Sequence, residues 1–358
     1  MPPRPICLDR PQVLDTTLRD GSYAINFQFS AADTSSICAA LEAAGFDLIE
    51  VGHGVGLGAS KKGYGVAAET DEVYCQAAQS ALHRASYGMF CIPGVASLSD
   101  VDMAASHGMG FIRIGTNVTE VADSRAFIER SRAHGMFVCA NFMKSYAVEP
   151  REFSHYARES IEYGAQAVYI VDSAGGMLPN ELRAYINSVR DLGVPFAFHG
   201  HNNLGLAVGN SLSAHEAGAK LIDGSLLGMG RSAGNAPTEQ LVAALQRQGL
   251  LMDIDLIRVL DAAAEYIAPL MKSNAAADID LITGFAQFHS SYMKTIRTYA
   301  GKYRVDPRRL IVAVCAIDKV NAPPELVESV AKGLAGENAD VSLARFGLHQ
   351  YFGNEQDR

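Results

Sequence analysis

Short apolar runs recur along the chain, separated by longer stretches of helical period. Runs at 13–20, 47–53, 86–92, 111–116, 137–143, 167–173, 196–201 and 221–227 predict eight strands. Between them, apolar positions spaced three and four apart predict helices over 31–44, 69–83, 99–106, 124–134, 150–163, 179–192 and 206–217. Several of these segments run into a glycine, among them Gly45, Gly108, Gly135, Gly164, Gly193 and Gly218, as helix C-termini commonly do.

Strands without a polar face that alternate with helices are buried on both sides, which implies a parallel sheet. Eight such units fit a closed (β/α)8 barrel, the TIM barrel. An open, doubly wound sheet is disfavoured because no G-x-G-x-x-G follows the first strand. Past Gly249 only helical period remains, over 256–271, 281–303, 307–317 and 324–334. The expected division is a catalytic barrel over 1–272 and a helical extension with a weakly patterned tail over 273–358.

Composition narrows the class. With 48% apolar and 19% charged residues, a large buried core is expected and disorder is not. A net charge of −9 argues against a nucleic-acid partner. No apolar leader and no run of 18 apolar residues occurs, so a soluble, untargeted protein without a membrane partner is expected. Cys7, Cys38, Cys75, Cys91, Cys139 and Cys315 show no C-x-x-C spacing, and most lie in apolar stretches, which suits free thiols in a reducing cytoplasm.

Chemistry in such barrels collects at the C-terminal strand ends. There the sequence places Arg19 and Asp20, His53, Thr116 and Asn117, Lys144, Asp172 and Ser173, then "HGHNN" and "GMGRSAGN". His199 and His201, two apart on a strand, point the same way, and Asp20 approaches from a nearby strand end. Two imidazoles and one carboxylate leave positions open on a divalent cation; Mg²⁺, Mn²⁺ or Co²⁺ suits the set better than a closed zinc site. Arg19 is either the partner of Asp20 or a fixed cation facing a developing enolate. Asn235 reads equally as part of a helix-capping loop and as an extra ligand or a group that orients one. Ser173 and His53 are candidate substrate contacts. Lys144 as a Schiff-base nucleophile is redundant beside a metal.

"TTLRDGS", "VGHGVGLG" and the stretch from His199 to Asn235 resemble the pyruvate-metallo-lyase superfamily of hydroxymethylglutaryl-CoA lyase, isopropylmalate synthase and the 4-hydroxy-2-oxovalerate aldolases. "GFAQFHSSYMKTIRTYAGKY" extends the likeness to the aldolases into the helical extension. The resemblance implies a divalent metal, most often Mn²⁺, on Asp20, His199 and His201, with Arg19 and Ser173 holding a 2-oxo acid. It implies reversible cleavage of a 4-hydroxy-2-oxo acid into pyruvate and an aldehyde, a homodimer, and an acylating aldehyde dehydrogenase as partner. The aldolases usually continue R-D-G-x-H, and that histidine is thought to be the base; here the position is Tyr23. Where the family carries a tyrosine in the extension, this chain has His289. The exchange suggests that His289 now supplies the base. The rival readings are a Claisen-type acyl-CoA synthase and a non-catalytic partner subunit.

Overall fold

A computed structural model describes residues 6, 8–271 and 278–335. Eight strands, β1 (Gln12–Asp15), β2 (Leu48–Glu50), β3 (Ser86–Cys91), β4 (Phe111–Asn117), β5 (Phe137–Met143), β6 (Ala167–Asp172), β7 (Phe196–Gly200) and β8 (Leu221–Gly224), are all parallel and close in chain order. Asp15 pairs with Gly224 to seal β1 against β8. The alternating helices are α1 (Ala31–Ala44), α2 (Asp71–Ala81), α3 (Leu98–Ser106), α4 (Arg125–Ala133), α5 (Pro150–Glu162), α6 (Pro179–Val189), α7 (Ala207–Glu216) and α8 (Thr238–Arg247). The fold is the TIM barrel.

The doubly buried strands split their side chains between two cores. One set, including Ile49, Ile112, Val138, Val168 and Phe198, packs under the helices. The other, including Leu14, Leu48, Phe111, Cys139, Tyr169, Ala197 and Leu221, comes from the strands alone and fills the barrel. Three charged side chains, Glu50, Arg113 and Asp223, share the strands with these residues and are at most 1% exposed.

Several strands are shorter than the apolar runs. The first stops at Asp15, because the next carbonyl, that of Thr16, accepts N–H groups from Arg19, Asp20 and Gly21 and turns the chain. Arg19 and Asp20 therefore sit on a turn that opens a 3₁₀ segment (Asp20–Ile25), beyond the strand end. Likewise β8 ends at Gly224, short of 227.

After α8, α9 (Leu256–Ala262) still belongs to the barrel: Asp255 N–H bonds the Ala44 carbonyl at 2.8 Å, and Val259 lies in the main core. The extension comprises α10 (Asp278–Ala286), α11 (Met293–Tyr303), α12 (Pro307–Cys315) and α13 (Pro324–Leu334) around a separate core. The single helix expected over 281–303 is two. Gln287 adopts φ 56°, and a 3₁₀ turn (Ser290–Tyr292) follows, so His289 stands at the break. The expected boundary at 272 and the tail from Gly336 lie outside the described residues, as does Cys7. The other five cysteines are buried and free. No helix among the described residues is long and apolar enough to cross a membrane.

Candidate active site

Asp20, His199 and His201 converge at the C-terminal mouth of the barrel, each offering one ligand atom within 4.8 Å of the others. His199 lies on β7. His201 lies just past it, in an isolated bridge to Asn235. Each ring is oriented through Nδ1. That of His199 donates to Asp223 Oδ2 at 2.8 Å, and that of His201 to the Gly234 carbonyl at 3.2 Å. With Nδ1 protonated, each Nε2 carries a lone pair, and both stand 3.9 Å from the same oxygen, Asp20 Oδ2. This donor set fits a divalent cation with open positions for oxygen ligands. Asn235 Nδ2 donates to Asp20 Oδ2 at 2.7 Å, so the amide steers the carboxylate.

Beneath the triad the buried charges form a continuous chain. Arg19 gives Nη1 to Asp20 and Nε to Glu50, each at 2.6 Å. Glu50 also takes Arg113, and Arg113 reaches across to Asp223. Asp223 closes the circuit on His199. Burial alone would raise the Asp20 carboxyl, but the charge of Arg19 beside it, with that of Arg231, holds it far below the usual carboxylate range. Burial and the charge of Arg231 keep His201 well below an ordinary histidine, hence neutral and able to ligate. Glu50, Arg113 and Asp223 escaped the sequence reading because each lies inside an apolar run. The one signal was a charge in the middle of a strand.

Above the triad opens a cavity of about 280 Å³. Arg19, Tyr23, Asn117, Asn141, Lys144, Ser173, Arg231 and His289 are among its lining residues. The structure thus brings Tyr23 and His289 to one pocket from opposite ends of the chain. Ser173 is buried and accepts the Lys144 N–H at Oγ. His53 is not among the lining residues, contrary to its expected substrate contact. Its ring stacks on Phe27 at 3.8 Å, Nδ1 accepts the Val55 N–H and Nε2 faces the Gly65 carbonyl, so both nitrogens serve the loop. Asp172 is likewise absorbed locally, accepting N–H groups from Gly176 and Met177. Arg231 went unnoticed in the sequence because a lone arginine in a glycine-rich loop looks solvated.

Residues 10–265 match the HMGL-like family. The chain belongs to that family. A 4-hydroxy-2-oxovalerate aldolase of Carboxydothermus hydrogenoformans is 38% identical over 91% of this chain and 98% of its own. The 4-hydroxy-2-oxovalerate aldolase 2 of Nocardia farcinica is 36% identical over 94% and 97%. The HMG-CoA lyase of Bacillus subtilis superposes with a TM-score of 0.64 at 17% identity, over 78% of this chain and 99% of that one, which shows the shared fold. This HMGL-like protein is an aldolase, a carbon–carbon lyase dependent on a divalent metal.

Proposed function

We propose that the protein reversibly cleaves a 4-hydroxy-2-oxo acid, of which 4-hydroxy-2-oxovalerate is the nearest example, into pyruvate and an aldehyde. The observation that carries this is the pair of Nε2 lone pairs turned on Asp20 beside a buried arginine, at the floor of a metabolite-sized cavity. A divalent cation held by Asp20, His199 and His201, Mn²⁺ in preference to Mg²⁺ or Co²⁺, would chelate the 2-oxo acid and draw electron density from C3. Arg19, fixed between Asp20 and Glu50, keeps a full positive charge beside the 2-oxo group and stabilises the enolate oxygen as C3–C4 breaks. The Ser173 hydroxyl, its oxygen already accepting the Lys144 N–H, has its proton left for the carboxylate of the 2-oxo acid.

The role expected of His289 changes. Its Nδ1 accepts the Ser291 N–H at 3.2 Å and contacts Ser291 Oγ at 2.7 Å. Burial, Arg231 and Lys144 keep the ring neutral, so the proton resides on Nε2. A neutral imidazole capped in this way is a donor at its remaining nitrogen and cannot accept a proton there without losing the cap. We therefore assign His289 to hydrogen-bonding the C4 oxygen, which polarises the aldehyde carbonyl in the direction of condensation. Tyr23 lines the same wall and is left to relay the C4 hydroxyl proton to solvent in cleavage and to return it to the C4 oxygen in condensation.

The resemblance also supports a homodimer and transfer of the aldehyde to an acylating aldehyde dehydrogenase. Five buried thiols without a disulfide favour the cytoplasm.

The test is exchange of the C3 protons of pyruvate in deuterated buffer with Mn²⁺, followed by NMR. Exchange that needs the metal and disappears in Asp20→Asn and Arg19→Met is the expected result. Absence of exchange with metal present overturns the reading, and release of CoA from an acyl-CoA plus a 2-oxo acid replaces it with the Claisen one.

A further inference from the structure

We infer that the aldehyde half of the substrate carries a carboxylate, held by Lys144 and Arg231. This rests on the aldol reading above, which fixes the pyruvate half at the triad. In the closed order β1 to β8, β5 stands across the barrel from β1. Lys144, the residue after β5, thus faces the site from the side opposite Asp20. The helical extension meets it there: Lys144 Nζ donates to Tyr292 OH at 3.2 Å and to the Val320 carbonyl at 2.6 Å. Arg231, on the loop after β8, lies between the two sides, with Nη1 on Ser290 of the extension and Nη2 on the Ser173 carbonyl just past β6.

Both cations are held by neutral acceptors. Arg231 donates to Ser290 Oγ at 2.9 Å and to the Ser173 carbonyl at 3.4 Å. Among the described residues neither forms an ion pair, and Asp20 is the one carboxylate lining the cavity, already matched by Arg19. Glu120 and Asp318 act on Lys144 only at longer range. Asp318 is spent on the N–H groups of Val320 and Asn321, and Glu120 on Asn117.

A buried ammonium without a counter-ion is costly, and burial with the charge of Arg231 pushes Lys144 down to about 8. Lys144 is only 3% exposed and holds a left-handed backbone, φ 58° and ψ 42°, which a non-glycine residue adopts at a cost. The ammonium has three donors and two protein acceptors, so one N–H is left for the cavity. A carboxylate there supplies the missing charge and the missing acceptor together. An uncharged aldehyde supplies neither.

The experiment uses the full-length enzyme with Mn²⁺ and pyruvate. It compares condensation with 4-oxobutanoate and with butanal, an uncharged aldehyde of equal length. The expected result is a kcat/KM at least about tenfold higher for the carboxylated aldehyde, the range of one charge-assisted hydrogen bond. That ratio should collapse in Lys144→Met and persist in Lys144→Arg, and Arg231→Gln should reduce it as a second variant should the first fail to fold. Equal or better use of butanal overturns the inference. So does a change in the KM for pyruvate with the ratio unmoved, or a borohydride-trapped adduct of pyruvate on Lys144, which would make the lysine a nucleophile. Exchange at pyruvate C3 separates the two levels: if it fails, the aldolase reading fails; if it persists without the preference, only this inference does.

Discussion

Asp223 Oδ2 accepts the Nδ1–H of His199 at 2.8 Å while also receiving Arg113. One carboxylate on β8 thus fixes the tautomer of a proposed metal ligand on β7, and the arginine fixes the carboxylate. Arg113 and His199 hold Asp223 below the usual carboxylate range despite its burial. Replacing Asp223 by Asn keeps the shape but removes the charge that makes the Nε2 lone pair basic. The expected outcome is Mn²⁺ affinity reduced roughly 10- to 100-fold, read by isothermal titration or Mn²⁺ EPR. Unchanged affinity would mean that the His199 tautomer is set elsewhere.

Arg113 is fully buried between Glu50 and Asp223, with Tyr169 and Phe90 against its guanidinium at 4.9 and 5.6 Å. Removing its charge strands two carboxylates inside the barrel with only partial compensation, Glu50 keeping Arg19 and Asp223 keeping His199. Arg113→Met should lower unfolding free energy by about 3–5 kcal/mol, measured by urea denaturation. Combining it with Glu50→Gln and Asp223→Asn should recover part of the loss, because the stranded charges go with it. A triple variant less stable than the single one would show that packing, and not charge, is what Arg113 contributes.

The donor assignment of His289 is separable from the base assignment by choice of substitution. Gln places an N–H near the Nε2 position but cannot accept a proton as imidazole does. If His289 donates, His289→Gln retains a sizeable part of kcat while His289→Ala loses about 100-fold. If His289 is the base, the two variants are equally impaired. Steady-state kinetics of condensation decide.

These residues also show how far the chain could be read unaided. Arg19, Asp20, His199 and His201 stood out because ionisable groups at barrel strand ends are anomalous against apolar runs. The eight strands followed from the same contrast. Glu50, Arg113 and Asp223 were hidden by it, since period-two patterning counts one charge in an apolar strand as noise. The proposed role of His289 turned on a backbone N–H two residues away, and that of His53 on two loop amides, neither of which has a residue-type signature. The break at Gln287 that delivers His289 to the mouth depends on a left-handed residue that is not glycine, so no turn signal marked it.

His53 supplies a pH dependence of stability. Burial pushes its imidazole down to about 4, against about 6.5 in an unfolded chain. A depressed basic group leaves the unfolded state binding the extra proton, so its contribution is intact above pH 6.5 and is lost as pH falls toward 4. The loss amounts to about 3 kcal/mol at full extent. His53→Asn retains an acceptor for the Val55 N–H and removes the titration. Unfolding free energies measured in EDTA at pH 7.5, 5.5 and 4.5 should therefore fall less steeply in the variant. Parallel curves would contradict the assignment.

The last prediction concerns how the extension is held over the site. Gly176 and Gly284 bring the β6 loop and α10 together so closely that a Cβ on Gly176 would stand 2.1 Å from the Gly284 carbonyl oxygen. Beside them, Asn203 Nδ2 bonds the Asp280 carbonyl at 3.1 Å and Thr283 Oγ1 at 2.8 Å. The proposed metal ligands all come from the barrel, whereas Ser290, His289 and Tyr292 come from the extension. Gly176→Ala should therefore push the extension outward, lowering kcat for condensation at least about tenfold through lost positioning. Mn²⁺ affinity should change far less, because Asp20, His199 and His201 stay in place. Gly301→Ala, on α11 with open space around its Cβ, is the matched control. Loss of metal binding in parallel with kcat would refute the separation of roles, by showing that the seam supports the triad itself.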